Sequence, residues 1–293
     1  MKVFWDPSYK CNAQCQYCFT ESGPYMPQDN IRKCDLHAII DRIIILGASA
    51  LSIGGGEPFL TEFDEICEVV NGRLKISVTT NGSILNSKII NTLRKHDVKV
   101  TVSLDSLDKE HFENCRKGLC LEQIVKNIKL LAADVVIRKN LSIRMTINKY
   151  NMEDVYDLVY FCEKMQIPKL KINSTNYFGR AKVNPKIITE FSDFMCKLAE
   201  LERFNSQKDS KVEIELPIRK YLSEGKTICS LGKNSIYVNP KGIVFPCAFS
   251  ENLLEFGNII TDNIADIIEK KNKFCHDDEK CERCVIHRYE SYY

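Results

Sequence analysis

Three cysteines near the start of the chain have the spacing of a metal-binding loop. Cys11, Cys15 and Cys18 form a C-x3-C-x2-C run, and Tyr17 and Phe19 flank the third thiol. Three thiolates on one short loop can hold three irons of a [4Fe–4S] cube and leave the fourth iron open, whereas a cluster that only carries electrons normally takes four cysteines. An open iron is a site where a substrate-like cofactor can bind. The missing fourth ligand therefore predicts chemistry rather than simple electron transfer.

Zinc is the alternative metal for this loop. Zinc sites are usually built from C-x2-4-C pairs with four protein ligands, and the run around Cys15 has no fourth candidate nearby. The spacing therefore favours the open iron–sulfur cluster.

A glycine-rich turn with a carboxylate follows the second predicted strand. Gly54, Gly55 and Gly56 let the backbone approach a ligand closely. Glu57 can accept hydrogen bonds from an ammonium group. Taken alone, the pattern also fits an ordinary turn with a solvated glutamate.

Polar residues also end the third and fourth predicted strands. Ser103 and Asp105 are two residues apart and share one face of a strand, and Arg116 follows in a Cys-Arg-Lys-Gly segment. Arginine suits a carboxylate through its two-pronged donor set, although two solvated residues and a surface arginine are the alternative. Asn81 is a candidate for the same pocket, or a turn residue before Gly82.

A second set of cysteines lies towards the C-terminus. Cys229, Cys247, Cys281 and Cys284 offer four thiolates, the last two as a C-x2-C pair. Four thiolates can fully ligate one [4Fe–4S] cluster, and four-cysteine zinc sites are the alternative. Cys275 is a further candidate ligand or a free thiol.

Composition excludes several classes of protein. The chain has 293 residues and a net charge of +2, which gives no electrostatic case for nucleic acid or an anionic membrane. The longest apolar run is broken by Asp41 and Arg42, no bilayer span is expected, and no signal peptide is visible. We therefore predict a cytoplasmic protein.

Cysteine is abundant for a protein in that compartment. The 14 cysteines indicate metal binding rather than a disulfide scaffold. Those outside the two sets are expected to be small core residues, namely Cys34, Cys67, Cys115, Cys120, Cys162 and Cys196.

Short β-like runs alternate with amphipathic helical stretches through the first two-thirds of the chain. The predicted strands are 3–5, 50–53, 75–79, 99–104, 142–147 and 169–172. Such alternation implies a parallel α/β sheet with right-handed crossovers, closed or partly closed as a barrel. Chemistry in such barrels lies at the carboxyl ends of the strands, and the Cys11–Cys18 loop directly follows the first strand.

The pattern changes after Ala181. A helix near 185–201 and a polar linker at 205–211 are expected, then strands at 236–239 and 243–246 and a helix near 263–270. The predicted domains are 1–204 and 212–293.

Together these motifs resemble those of the radical S-adenosylmethionine (SAM) superfamily. The cysteine loop matches its C-x3-C-x-aromatic-C motif, residues 54–58 match its GGEP motif, and residues 100–105 with Arg116 are similar to its VSLDG…RG pattern, with Ser106 replacing glycine. The resemblance implies a partial (β/α)6 TIM-like barrel with S-adenosylmethionine on the open iron of a [4Fe–4S] cluster. Reductive cleavage of this cofactor gives a 5′-deoxyadenosyl radical that removes a substrate hydrogen.

The resemblance also implies which residues hold that cofactor. The expected contacts are with the adenine, the methionine amino and carboxylate groups and the ribose, through Tyr17, Gly55, Gly56, Glu57, Asn81, Ser103, Asp105 and Arg116. Neither a catalytic base nor a hydrogen donor is assignable.

The C-terminal region resembles the SPASM/Twitch extension of these enzymes. Supporting segments are 179–181, 237–247 and 256–259. The resemblance implies a small α+β domain with one auxiliary [4Fe–4S] cluster on Cys229, Cys247, Cys281 and Cys284. A full SPASM domain continues with more cysteines, whereas this chain stops at Tyr293, so the short Twitch form is expected. A fully ligated cluster favours an electron-relay role.

Two outcomes fit this resemblance. Enzymes with this extension often crosslink, epimerise or form thioethers in ribosomally made peptides, and others oxidise a small-molecule alcohol such as an aminocyclitol. The peptide is favoured, although the ten residues before Cys11 leave no room for a leader-binding winged-helix domain. A flavodoxin- or ferredoxin-type electron donor is the expected partner. Outside enzymes, the alternative is an iron–sulfur electron carrier or a zinc scaffold.

Overall fold

The computed structural model describes residues 1–26, 35–207, 211–216, 232, 234–250 and 254–275. The strands in these ranges are β1 (Lys2–Trp5), β2 (Gln14–Cys15), β3 (Ala50–Ile53), β4 (Lys75–Thr80), β5 (Lys99–Ser103), β6 (Arg116–Lys117), β7 (Leu141–Ile147), β8 (Lys169–Ser174), β9 (Glu213–Glu215), β10 (Ser235–Val238), β11 (Ile243–Phe245) and β12 (Gly257–Asn258). The helices are α1 (Leu36–Ile45), α2 (Phe63–Val70), α3 (Ser87–Lys95), α4 (Lys109–Cys115), α5 (Leu121–Ala133), α6 (Val135–Arg138), α7 (Val155–Lys164), α8 (Phe191–Gln207) and α9 (Ile264–Cys275).

The chain divides into two compact units. The first comprises Met1–Tyr9, Pro27–Ser77 and Ile228–Tyr293, and the second comprises Lys10–Met26 and Val78–Thr227. The chain passes from one to the other within β4. The domain boundaries expected from the sequence, 1–204 and 212–293, stay a prediction.

In the first unit, β1 lies between two parallel strands. Its first residue, Lys2, is opposite Ala50 of β3 on one side and Ser235 of β10 on the other. Strand β10 pairs antiparallel with β11, which pairs antiparallel with β12. Val3 and Trp5 of β1 are completely buried. A strand from the C-terminal region therefore extends the sheet that the N-terminus begins.

In the second unit, β5, β7, β8 and β9 pair in parallel in that order. Successive side chains of a strand point to opposite faces, and one face of these strands is entirely apolar. Its members are all buried, and they include Val100, Val102, Ile143, Met145, Leu170 and Ile172. Helix α7 packs against β8. Burial of this apolar face stabilises the unit, at roughly 25 cal/mol for each Å² removed from water.

The six strands predicted from alternating patterns are confirmed to within two residues, but one predicted helix is wrong at its start. Residues Pro185–Ile187 form a separate 3-10 turn, and α8 begins only at Phe191. The helix continues to Gln207 because its apolar spacing does, with Phe194, Leu198 and Leu201 buried on one side. It therefore occupies the start of the predicted linker.

Three of the cysteines expected in the core are there. Cys67, Cys115 and Cys162 are buried, whereas Cys34 lies outside the described residues. The prediction is wrong for Cys120 and Cys196, which are exposed. Cys120 is the residue before the first turn of α5, and Cys196 lies on the exposed side of α8.

No helix in the described ranges combines the length and the apolar character needed to cross a bilayer.

Candidate functional site

The cysteine loop belongs to the second unit, where a short antiparallel bridge fixes its centre. Strand β2 pairs with β6, and Cys15 is directly opposite Arg116. The Gln16 N–H also donates to the Cys115 carbonyl at 2.8 Å. The backbone that follows α4 therefore sets the position of the middle cysteine.

Each sulfur of the loop has a hydrogen-bond donor beside it. Ala13 N at 3.4 Å and Asn81 Nδ2 at 3.7 Å donate to Cys11, Arg116 NH1 at 4.0 Å donates to Cys15, and the Thr20 hydroxyl, a group able to donate, lies 3.5 Å from Cys18. Donors and a cation favour the thiolate, which is the form that binds metal.

The thiol of Cys15 is strongly affected by its surroundings. Burial raises its pKa to about 12, and the positive charge of Arg116 opposes this rise. A metal removes the thiol proton outright, so metal binding is what makes a buried thiolate favourable at this position.

The spread of the three sulfurs does not suit a single ion. Thiolates around one zinc, at about 2.3 Å from the metal, lie within about 4 Å of one another. Among the described residues, only Glu113, Cys120 and Glu122 bring three possible ligand atoms within 4.8 Å of each other. The three loop sulfurs are therefore not all within 4.8 Å of one another, which is a wider spread than around a single zinc ion.

Arg180 holds the backbone of the cysteine loop. Its Nε, NH1 and NH2 donate to the carbonyl oxygens of Cys15, Glu21 and Ser22 at 2.8, 2.8 and 2.6 Å. Its backbone N–H donates to the Cys18 carbonyl at 3.0 Å. In the sequence, segment 179–181 was noted only because it resembles the family. Its hydrogen bonds to the cysteine loop were not predicted.

Gly179 allows this close approach. Its φ is +51°, and a Cβ there would lie 2.3 Å from the Cys18 carbonyl oxygen. Any larger residue would push Arg180 away from the loop.

Asp105, Arg116 and Tyr17 form a buried hydrogen-bonded cluster. Arg116 Nε and NH2 donate to the two carboxylate oxygens at 2.7 and 3.0 Å. The Tyr17 hydroxyl donates to the same carboxylate, as does the Thr146 N–H at 2.9 Å. Asp105 and Arg116 are 1% and 6% exposed, so the pair is almost completely removed from water.

The charges in this cluster stabilise each other. Burial lowers the pKa of Arg116, but the charge of Asp105 and its hydrogen bonds, together with Tyr17 and Cys15, more than offset that effect, and the pKa stands well above its ordinary value. Burial also raises the pKa of Tyr17 well above its ordinary value, so this hydroxyl stays a proton donor. The guanidinium therefore remains charged beside Cys15.

Asn81 and Ser103 lie in the same unit. Asn81 contacts the cysteine loop twice, through Cys11 and through Asn12 Oδ1 at 2.9 Å, and its own Oδ1 accepts from Ser83 N–H. Ser103 is buried at the end of β5, two residues before Asp105. The second unit thus contains eight of the predicted positions, three of them cysteines.

The glycine-rich turn belongs to the first unit, at the end of β3. Gly54 N–H donates to the Trp5 carbonyl at 3.0 Å and Gly56 N–H to the Ser8 carbonyl at 2.8 Å. Gly55 has φ +92°, and a Cβ there would lie 2.5 Å from the Ser8 carbonyl oxygen. Glycine is required here by conformation and by space.

Glu57 is buried, not solvated. Only 1% of it is exposed, and its Oε1 accepts the Phe59 N–H at 3.1 Å. A buried carboxylate next to a glycine turn suits recognition of an ammonium group.

Asp6 beside this turn was missed by the sequence analysis. It follows the last residue of β1 and accepts the Tyr237 hydroxyl at 2.8 Å, and that hydroxyl is 2.9 Å from the Tyr9 hydroxyl. Burial and the charge of Asp6 raise the pKa of Tyr237. A carboxylate one residue beyond a buried strand was the available signal.

Of the second cysteine set, the structure describes Cys247. It follows β11, is half-buried, and its N–H donates to Ser250 Oγ at 3.3 Å. Cys229, Cys281, Cys284 and the side chain of Cys275 lie outside the described residues, so the auxiliary ligand set stays a prediction.

Two family models match the chain. The model of the radical SAM superfamily matches residues 5–162, and that of the SPASM iron–sulfur cluster-binding domain matches residues 229–285.

Two curated relatives illustrate the range of similar proteins. The antilisterial bacteriocin subtilosin biosynthesis protein AlbA of Bacillus subtilis is 26% identical, over 89% of this chain and 57% of AlbA. A GTP 3′,8-cyclase of Clostridium botulinum is 26% identical, over 90% of this chain and 86% of the cyclase. The chain thus spans little more than half the length of AlbA.

Among solved structures, SuiB of Streptococcus suis bound to precursor peptide SuiA has a TM-score of 0.74 at 18% identity, covering 91% of this chain and 64% of SuiB. This likeness shows the fold. The α/β TIM-like barrel with a small C-terminal domain, expected from the sequence, is confirmed.

Proposed function

Because this chain belongs to the radical SAM superfamily and carries a SPASM domain, we propose that it modifies a ribosomally made peptide by radical chemistry. Membership implies S-adenosylmethionine and a [4Fe–4S] cluster as cofactors, and the SPASM domain implies auxiliary iron–sulfur binding. When bound, these groups supply a 5′-deoxyadenosyl radical that removes a hydrogen atom from the substrate.

The observation that carries the proposal is the cysteine loop and its supports. Cys11, Cys15 and Cys18 would hold three irons of the cluster, and the donors beside the sulfurs would stabilise its negative charge. Arg180 would keep the loop in place through its carbonyl contacts.

The contacts expected with the cofactor can be assigned residue by residue. Asp105 engages two nitrogens of Arg116, which leaves NH1, the nitrogen next to Cys15, for a methionine carboxylate. Glu57 would accept the amino group. The remaining contacts are assigned, as the superfamily motifs imply, to Tyr17, Gly55, Gly56, Asn81, Ser103 and Asp105.

The auxiliary cluster would be held by cysteines 229, 247, 281 and 284, within a domain at 212–293 that follows a core at 1–204. With all four irons ligated, it would pass electrons rather than bind substrate. A flavodoxin- or ferredoxin-type protein would supply the electron to the first cluster, consistent with a cytoplasmic location.

A peptide substrate is supported by the similarity to AlbA, a bacteriocin biosynthesis protein. The second candidate is a small-molecule substrate, since the GTP 3′,8-cyclase is similar over most of its own length. Oxidation of a small alcohol belongs to this second class.

The deciding experiment has two stages. The protein is reconstituted anaerobically with iron and sulfide and given dithionite and S-adenosylmethionine, and we expect 5′-deoxyadenosine. It is then given the peptide encoded by any short reading frame beside its gene, and we expect a change in peptide mass. No 5′-deoxyadenosine would contradict the enzyme, and an unmodified peptide with a converted small molecule would favour the second candidate.

A further inference from the structure

Two rows of polar side chains cross the second unit on the face opposite its apolar side. Residues that are in register on neighbouring parallel strands point to the same face. One row, taken across β5, β7, β8 and β9, is Ser103, Arg144, Lys171 and Glu215, and the row before it is Thr101, Ser142, Lys169 and Glu213.

Arg144 is a cation of these rows that the proposed cofactor site does not use. Its NH1 donates to Thr79 Oγ1 at 3.3 Å, and its Nε is buried with no hydrogen-bond partner among the described residues. A buried guanidinium nitrogen without an acceptor destabilises the fold, because its contact with water is lost and no hydrogen bond replaces it. An arginine whose buried Nε has no acceptor can donate a hydrogen bond to a ligand that binds beside it.

Lys171 lies beside Arg144 in the same row. Its Nζ donates to Thr101 Oγ1 at 3.1 Å. The two glutamates of the rows are both paired with Lys169, whose Nζ is 3.2 Å from Glu213 and 3.0 Å from Glu215. Glu215 also interacts electrostatically with Lys171 and Arg144, so the two carboxylates are shared among three cations.

The balance of charge indicates the kind of anion. The two rows contain three cations and two carboxylates, a net charge of +1. A single carboxylate matches that charge, whereas a triphosphate would leave several negative charges uncompensated. Arginine is also the residue that binds a carboxylate through two parallel hydrogen bonds.

The rows lie next to the proposed cofactor residues. Ser103 precedes Asp105 by two positions, and Arg144 precedes Thr146, whose N–H donates to Asp105, by two positions. A group bound by Arg144 would therefore lie close to the ion pair of Asp105 and Arg116.

We propose that Arg144 and Lys171 form a subsite that binds a carboxylate of the substrate. The subsite deepens the proposed function and rests on it, because the ligand it recognises is the peptide to be modified. In that peptide, the carboxylate is an aspartate or glutamate side chain or the C-terminus.

The test uses the reconstituted enzyme saturated with S-adenosylmethionine and two tripeptides that differ only in charge. Anaerobic calorimetry measures the binding of acetyl-Gly-Glu-Gly-amide, of acetyl-Gly-Gln-Gly-amide and of inorganic phosphate. We expect the glutamate peptide to bind about tenfold more tightly than the glutamine peptide, a ratio worth about 1.4 kcal/mol.

Three variants separate recognition from structure. Arg144→Gln should abolish the preference for the glutamate peptide, and Lys171→Met should reduce it, while both keep the cluster absorbance and the wild-type affinity for S-adenosylmethionine. Arg203→Gln changes an exposed arginine of α8 and should keep the full preference. The intact cluster and cofactor affinity show that a lost preference does not come from a lost fold.

Several results would overturn the subsite. They are an equal affinity of wild type for both tripeptides, no measurable binding of either, a preference that survives Arg144→Gln, or phosphate binding more tightly than the glutamate peptide. Failure of the proposed function can be distinguished from failure of the subsite, because it appears as the absence of 5′-deoxyadenosine in the same preparation.

Discussion

Arg116 lies opposite Cys15 in the bridge between β2 and β6, and its guanidinium returns to within 4.0 Å of the Cys15 sulfur. The same guanidinium is held by Asp105 through two hydrogen bonds. One arginine thus connects the metal loop with a buried carboxylate, and a change at either end alters the position of the positive charge near the cluster.

The buried pair is expected to be sensitive to the loss of one partner. Asp105→Asn leaves the Arg116 charge buried without its counter-ion, which costs about 3–5 kcal/mol. The double variant Asp105→Asn, Arg116→Gln should lose less than Asp105→Asn alone, because no unpaired charge remains. Urea unfolding followed by circular dichroism measures both, and an unchanged midpoint for Asp105→Asn would contradict the expectation.

Removal of one loop thiolate should remove one cluster. With two [4Fe–4S] clusters the reconstituted chain holds about eight irons, and Cys15→Ala should retain about four and form no 5′-deoxyadenosine. Iron analysis and chromatography of the reaction measure these quantities. Cys196→Ala is the matched control, because Cys196 is an exposed cysteine of α8 and its loss should change neither. Full iron content in Cys15→Ala would remove that residue from the ligand set.

Arg180 is expected to control how firmly the cluster is held. Arg180→Ala loses three hydrogen bonds to loop carbonyls, each worth about 1 kcal/mol, so the loop becomes easier to open. We expect iron to be lost to a chelator about tenfold faster than from wild type. Arg203→Ala serves as the control for removing an arginine, and equal rates in the two variants would exclude a positioning role for Arg180.

Gly55 should tolerate no side chain. Gly55→Ala combines a left-handed backbone with a Cβ 2.5 Å from the Ser8 carbonyl, and we expect weaker binding of S-adenosylmethionine together with a loss of stability. Gly72→Ala is the control, since Gly72 also has a positive φ but open space around it, so it carries only the backbone cost of about 1 kcal/mol. Equilibrium dialysis and thermal unfolding compare the two, and equal effects would mean that the contact with Ser8 is unimportant.

Local sequence patterns were enough to predict the cysteine loop and the strands of this protein. The spacing of Cys11, Cys15 and Cys18 indicates an open cluster because ligand geometry is set within a few residues. Alternating apolar residues predicted the strands because side chains on a strand alternate between faces. The boundaries of α8 were predicted less well. A helix extends only as far as its apolar residues pack against another element, and that packing is not visible in the sequence.

Tertiary structure alone decided which residues support the site. Arg180 and Cys15 are 165 positions apart in the chain, and Lys2 of β1 is paired with Ser235 of β10 across a still longer stretch of chain. The row of Arg144 and Lys171 exists only through the register of β7 and β8. Hydrogen bonds and strand register between distant segments leave no periodic trace in a sequence, so motifs name the ligands of the cluster while the folded sheet determines what surrounds them.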